Sequence, residues 1–475
     1  MTTSLTPGAF AGPLYALEPD IILGADGELM GHVLIVRGSK VEAVVPRDEL
    51  VRWPTATLTR LDGCAIIPGI IDAHHHVIEP FAKALAFGEP AQMWKRLWLP
   101  LEAVATADSC YQAAKWTFLE ALRGGITTIT EHAVRSLELV DAVNRAAEDT
   151  GIRLISSTGG YDLKNFSSSA RTPDASASVD SVITLAEEHI AACKAFSRVT
   201  PSLACGTVQS NSGEMIAALS SFCRERSLLF QIHANEHTVE VHTCIETYGR
   251  RPIEYLSDLG ALGTTTLIAH ATLVTPSEIE LLRQTGTAVA YNPVAAMWKG
   301  NAVAPAEDYI MRGIRVGLGS DATRNDGFRM IDAAEACQRL AYGMPKDDFS
   351  CGAGWMWVQA ATQGGAAAVG LGDVTGALEA GREADFLVLD RRGPEVTPSW
   401  DFTWELVRCY DRADILATVV GGTPATIDGR AVAFDSEQFF ADQLQRGVAN
   451  VESAGMTRLH GTSSHNRAAR TNAAC

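Results

Sequence analysis

The sequence predicts a parallel (β/α)8 barrel of TIM type, carrying a small composite β-sandwich built from both ends of the chain. Three observations predict it. Eight short apolar strand candidates alternate with amphipathic helices between Ala65 and Gly372. The conspicuous polar side chains, His74, His76, Glu131, His132, His233, His270, Asn292 and Asp321, fall at the ends of those candidates, where a barrel collects its functional groups. Short strands punctuated by Gly and Asp flank this region on both sides. A doubly wound open sheet competes on rhythm alone, but histidines scattered at random would not gather at strand ends.

Taken in order, residues 1–66 read as the N-terminal part of the β unit. Ile21–Leu23, the turn Gly24–Gly27, His32–Val36 and Val41–Val45 alternate apolar and polar residues. The barrel is expected over 67–372. Its first strand is read as Ala65–Ile71, a β-branched run bracketed by Gly and Pro that leads into His74, His75 and His76. Alternation puts His74 and His76 on one side and His75 on the other. A tag-like histidine tract would not follow a buried strand.

The remaining strands are expected at Ile126–Thr130, Arg153–Ser157, Arg198–Leu203, Leu228–His233, Thr266–His270, Ala288–Asn292 and Arg315–Asp321. Tyr111, Lys115, Phe118, Leu119 and Leu122 form one stripe of a helix over Asp108–Arg123, stopped by Gly124. Thr275-Pro276-Ser277-Glu278 has the form of a capping box with Pro at the first helical position, and that helix ends at Gly286. The segment 159–178 is a long loop, either an active-site lid or a mobile stretch. Over 373–436 the chain returns to strands, at Ala384–Leu389, Ala417–Val420 and Ala431–Phe434, that complete the β unit. A helix and a disordered polar tail are expected over 437–475.

Composition bounds the function. The 475 residues are 47% apolar and 20% charged, ordinary for a soluble enzyme. A formal charge of −17 argues against nucleic acid and anionic membranes as partners. The N-terminus has no basic or apolar signal region, and no apolar run approaches a membrane span. The 10 cysteines are scattered without a Cys-x-x-Cys pair, so they read as reduced, buried thiols of a cytoplasmic protein, with Cys475 the exposed one. A small-molecule substrate and a homo-oligomer are the expected partners.

The histidines define the chemistry. A catalytic divalent ion needs N and O ligands with one open position. His74 and His76 supply two imidazoles, His233 is a natural third, and Asp321 is a natural carboxylate. Glu236, three residues after His233, sits where it can take a proton from water and deliver it to a leaving nitrogen. His270 stands at its own strand end, able to orient or deprotonate the water.

The stretches Pro68–His76, His233-Ala234-Asn235-Glu236, Ala269-His270 and Gly317–Asp321 together resemble the amidohydrolase superfamily, nearest its chlorohydrolase and cytosine deaminase-like, triazine hydrolase-type group. The resemblance extends through Gly376–Asp385, which in that family leads back into a composite β domain. It implies a barrel hydrolase using a metal-bound hydroxide. His74, His76, His233 and Asp321 match the ligands; Glu236 and His270 match the proton-handling pair, with Asp321 also in the catalytic set. Zinc is the expected ion, with iron, cobalt or manganese as alternatives. Two-metal relatives bridge their ions with a carboxylated lysine on the fourth strand; Arg198–Cys205 has no lysine, and Lys164 and Lys194 lie elsewhere, so one ion is expected.

The chain also departs from that pattern. A Pro-x-Ser-Asn segment common in the family is replaced by Asn292-Pro293-Val294-Ala295-Ala296-Met297-Trp298. The second strand ends in Glu131-His132 rather than a lone acid. Trp94, Trp98 and Trp298 are candidates for an apolar wall, with Glu131, His132 and Asn292 as further pocket residues. These changes point away from a standard nucleobase. The resulting expectation is a metal-dependent hydrolase of a C–N bond in a small neutral compound: heterocycle deamination, or amide, urea or carbamate cleavage as in xenobiotic or herbicide breakdown. The alternative is a catalytically inactive scaffold of the same fold, which would be expected to lack ligands that this chain retains.

Overall fold

The computed structural model describes residues 5–89, 93–133, 136–163, 177–348 and 350–459. Eight parallel strands pair each with the next in chain order: Ile70–His75, Ile126–Glu131, Arg153–Gly159, Val199–Thr207, Leu229–Ala234, Thr266–His270, Ala288–Tyr291 and Val316–Leu318. The eighth strand returns to the first. Asp321 N donates to His74 O at 3.0 Å. The Asp72 carboxylate accepts Ser320 N at 3.0 Å and Ser320 Oγ at 2.5 Å. That closure brings the two ends of the expected site side by side.

One expectation is corrected here. Ala65–Ile71 is not a single strand. Thr57–Pro68 belongs to the other sheet, and the barrel strand begins only at Ile70. Gly69 is the switch: its N–H donates to Asp385 O at 3.0 Å, whereas Ile70 N donates to Gly125 O at 3.1 Å. A β-carbon at position 69 would collide with the Thr127 side chain, so only glycine passes there. An apolar run reads the same on either side of such a crossing, which is why periodicity alone joined the halves. The eighth strand is also shorter than expected, because the chain turns sharply after Leu318.

The second sheet has nine strands and draws on both ends of the chain. Phe386–Asp390 lies antiparallel to Thr57–Pro68, pairing Leu387 with Ile67 and Leu389 with Ala65. Leu14–Gly24, His32–Arg37 and Lys40–Pro46 continue on one side, with Gly27–Met30 paired to the first of these; Ile415–Val420, Thr423–Ile427 and Arg430–Ala431 continue on the other. The expected strand Ala431–Phe434 shrinks to Arg430–Ala431. Thr423–Ile427 is a further strand whose alternation Pro424 interrupts.

Helix Ala107–Arg123 is capped by Thr106, whose side chain accepts from Ser109 N, and stops at Gly124. Helix Pro276–Thr285 carries the expected Thr275–Glu278 box and ends at Gly286 in the left-handed region. Cys409 is exposed while the other described cysteines are buried, a correction to the expectation that Cys475 alone would be. Cys475, Lys164, most of the 159–178 loop and the end of the tail lie outside the described residues. No helix among the described residues is long and apolar enough to cross a membrane.

Candidate active site

The C-terminal ends of the strands converge on one point. The first delivers His74 and His76, the second His132, the fifth His233, the sixth His270, and the turn after the eighth Asp321. His270 and Asp321 have positive φ, 76° and 52°, as do the alanines that follow them. Non-glycine residues adopt this region only when their surroundings hold them there. Here the hydrogen bonds Ala271 N to Ala234 O, 3.1 Å, and Asp321 N to His74 O, 3.0 Å, do so. Each turn aims its side chain across the barrel mouth.

The His74 ring lies 4.8 Å from His233, 5.1 Å from His76 and 5.4 Å from His270, centroid to centroid. Asp321 Oδ1 stands 3.5 Å from Nε2 of both His74 and His76. His233 Nδ1 donates to Gly206 O at 2.8 Å, which fixes the tautomer and leaves Nε2 with a free lone pair. His75 points the other way, Nε2 to Asn325 Oδ1 at 2.6 Å, as alternation requires.

Both His74 ring nitrogens are buried without a good hydrogen bond among the described residues. Groups of this kind are rare unless they serve something outside the protein. Burial pulls the His74 imidazolium down to about 3 and those of His76 and His132 well below their ordinary value. All three are neutral, the form that ligates. Burial alone would raise the Asp321 carboxyl, but Lys299, with Nζ 2.8 Å from Oδ2, and the His74 side chain hold it well below the usual carboxylate range. The N/O donor set and its protonation fit a divalent ion. His74, His270 and Asp321 form one group close enough to share an ion, and His74, His132 and His233 another.

Glu236 faces this cluster. Its Oε1 lies 3.6 Å from His270 Nε2 and 3.1 Å from His237 Nε2, and accepts from Asn301 Nδ2 at 2.8 Å. Burial pushes its carboxyl up, but the fields of His270, His237 and His233 win and keep it ionised. Asn292 Nδ2 donates to His270 Nδ1 at 3.1 Å, which places the His270 proton on Nε2, toward Glu236.

A cavity of about 800 Å³, including its open mouth, lies over these groups. Trp94, Trp98 and His132 line it. The other three pocket candidates do not, among the described residues. Trp298 packs edge-on against Phe87 at 4.8 Å. Asn292 sits behind His270. Glu131 is turned into the wall, where Oε2 accepts Val77 N at 2.8 Å. Lys299, His237, Asn301, Glu79 and Glu102 do line the cavity and were not anticipated. His237 has a signal, its adjacency to Glu236; Lys299 ends a short helix, Pro293–Lys299, Asn301 follows it, and nothing in their local sequence marks them.

Comparison with known proteins gives consistent results. The amidohydrolase family profile matches residues 65–432. A 5-methylthioadenosine/S-adenosylhomocysteine deaminase of Nitratidesulfovibrio vulgaris is 32% identical over 408 residues, 85% of this chain and 89% of that protein. One from Haloarcula marismortui is 30% identical over 393 residues, 82% and 88%. Among solved structures, an adenosine deaminase from Xanthomonas campestris with bound zinc superposes with a TM-score of 0.83 at 20% identity, covering 92% of this chain and 98% of that one. The zinc complex of atrazine chlorohydrolase from Arthrobacter aurescens gives 0.81 at 22% identity, covering 92% and 100%. At these identities the structural matches establish the fold.

Proposed function

The chain belongs to the amidohydrolase family and is a metal-dependent hydrolase of carbon–nitrogen bonds; from that premise we propose that it removes an exocyclic amine, as ammonia, from an amino-substituted nitrogen heterocycle. The observation that carries the proposal is the placement of Glu236: one ionised carboxylate held by His270 and Asn301 beside the histidine cluster, at the floor of a cavity walled by Trp94 and Trp98.

We assign one divalent ion, zinc, to His74, His76, His233 and Asp321. When bound, it supplies Lewis-acid activation of water. The chain's own residues do the rest. Lys299 grips Asp321 Oδ2 and leaves Oδ1 turned toward His74 and His76. Glu236 accepts the water proton and returns it to the leaving nitrogen. His270, its proton on Nε2, donates toward the oxygen that gains charge. Trp94 and Trp98 offer flat apolar area for a ring, and Glu79 and Glu102 offer acceptors for hydroxyl or amino substituents.

The named activities of the relatives, on methylthioadenosine and S-adenosylhomocysteine, and of the structural neighbours, on adenosine and a chlorotriazine, all concern nitrogen-rich rings. This supports the heterocycle over ureas and carbamates. The retained donor set speaks against an inactive scaffold. Buried, free thiols support a cytoplasmic setting. The test is ammonia release from adenosine, 5′-methylthioadenosine and aminotriazines, with metal analysis of the same protein. One ion per chain is expected, with activity lost on chelation and restored by zinc. Chelator-insensitive turnover, or no ammonia from any aminated ring by metal-replete protein, would overturn the assignment.

A further inference from the structure

The tryptophan wall of the cavity is held from behind by the far end of the chain. Trp94, Trp98 and Glu102 lie between the first barrel strand and helix Ala107–Arg123, on a short turn and the six-residue helix Trp98–Ala103. No strand pairing fixes this segment among the described residues. On its outer side run the last residues of helix Ser436–Ser453 and the chain that follows it. Val451, Ala454 and Met456 pack with Ala82, Leu97 and Trp98 in a cluster separate from the barrel core. Thr457 N donates to Arg96 O at 3.1 Å, and Leu459 N to Glu89 Oε2 at 2.9 Å.

The Glu89 side chain is fully buried, and two guanidinium groups meet it: Arg458 Nε at 3.3 Å and Arg96 Nη2 at 3.4 Å. A carboxylate in that position is tolerated only when paired, and both the Arg458 guanidinium and the Leu459 N–H that meet it come from the C-terminal segment. The helix that carries the segment is itself seated: Phe440 lies edge-on to Trp116 at 4.6 Å, and a β-carbon at Gly447 would strike Phe81. The helix and the segment that follows it lie beyond residue 432, where the family match ends.

We propose that residues 451–459 form a specificity strap: they set the position of the Trp94–Glu102 wall, and through it the affinity for the ring-bearing part of the substrate, while taking no part in the chemistry. The strap's residues are positioning residues. Its link to substrate affinity rests on the deaminase reading; its link to the wall does not, and the test separates the two.

Hydrogen exchange is compared in the zinc-loaded full chain, a chain ending at Leu459, a chain ending at Ser453, and Arg458→Ala, the mildest change. Peptides covering 93–102 should exchange ~10-fold faster in the chain ending at Ser453 and faster by a smaller factor in Arg458→Ala. Ending at Leu459 should change nothing, and zinc content and barrel-strand protection should be equal in all four. With adenosine as the probe, KM should rise ~10-fold in the chain ending at Ser453 while kcat stays within ~3-fold. Unchanged exchange at 93–102 in both strap variants overturns the strap. A fall in kcat at constant KM overturns its role in affinity. No turnover of adenosine by the full chain counts against the substrate reading, and the exchange result alone then decides whether the strap holds the wall.

Discussion

The two rims of the barrel bury charge in opposite ways. At the N-terminal rim, Arg153 opens the third strand and is buried against the returning chain. Its Nε meets Asp385 Oδ2 at 2.8 Å, and its Nη2 meets Asp385 Oδ1 at 3.1 Å and Glu383 Oε2 at 3.3 Å. Asp385 also accepts Thr375 Oγ1 at 2.8 Å and Gly421 N at 2.7 Å. The carboxylate and guanidinium are thus committed to protein partners, and together they fasten the second sheet to the barrel. At the C-terminal rim, five imidazoles crowd together beside the Asp321 and Glu236 carboxylates, and both His74 ring nitrogens are buried without a good hydrogen bond among the described residues. Both rims carry the desolvation penalty of buried polar groups. Only the lower one offsets it fully with the protein's own hydrogen bonds, and that difference separates a structural clasp from a site.

The comparison breaks hardest at the upper rim. Glu236→Gln keeps shape and hydrogen bonding but cannot carry a proton, so kcat should fall ~10²- to 10⁴-fold with little change in melting temperature. Asp321→Asn should abolish most activity with the fold intact, because it takes one charge from the donor set. Substantial turnover by well-folded, metal-replete Asp321→Asn protein would remove Asp321 from the site. Wild-type kcat in Glu236→Gln would move the proton role to another group, with His237, 3.1 Å from Glu236, next in line.

The lower rim should respond the other way. Arg153→Met leaves Asp385 buried without its main counter-charge, which typically costs about 3–5 kcal/mol. The denaturation midpoint should drop accordingly, while kcat of the folded fraction stays near wild type. A collapse of kcat at an unchanged midpoint would mean that the two rims are coupled and the contrast is false.

Why the upper rim was legible from sequence, and the lower one was not, follows from the same physics. His74, His76, His233, His270 and Asp321 each end a short apolar run, and a parallel barrel brings such ends together whatever the details between them. Alternation was enough to turn His75 away. Arg153 and Asp385, by contrast, are far apart in sequence, and nothing local marks them as partners. The same limit explains the misplaced start of the first strand: the handover at Gly69 depends on Thr127 and Asp385, which come from distant chain. It explains the pocket as well. Trp94 and Trp98 were found by residue type, but Trp298 shared that type and faces Phe87 instead. Lys299 and Asn301 reach the site through a helix whose direction no periodicity specifies.

The smallest expected effect lies at the boundary of the upper rim and concerns a buried carboxyl, Glu240, whose Oε1 has no hydrogen-bond partner among the described residues. Glu240 accepts Glu236 N at 2.9 Å, and burial pushes its carboxyl up to about 8 from an ordinary 4.5. Between those values the folded chain binds a proton that the unfolded chain has released, so this group makes stability fall as pH rises from 4.5 to 8. His74 and His270, held down to about 3 and 4, work in the opposite sense, raising stability with pH up to the unfolded histidine value near ~6.5. A direct pH profile would mix the two. Glu240→Gln separates them: it retains an acceptor for Glu236 N but has nothing to titrate, and the histidine contribution is common to both proteins. With metal removed from both, the change in melting temperature from pH 5 to pH 8 should be more positive in Glu240→Gln than in wild type, by ~2–4 °C. Equal slopes would mean that Glu240 is already ionised in the fold, and that the negative charge beside Glu236 belongs to the working state of the site.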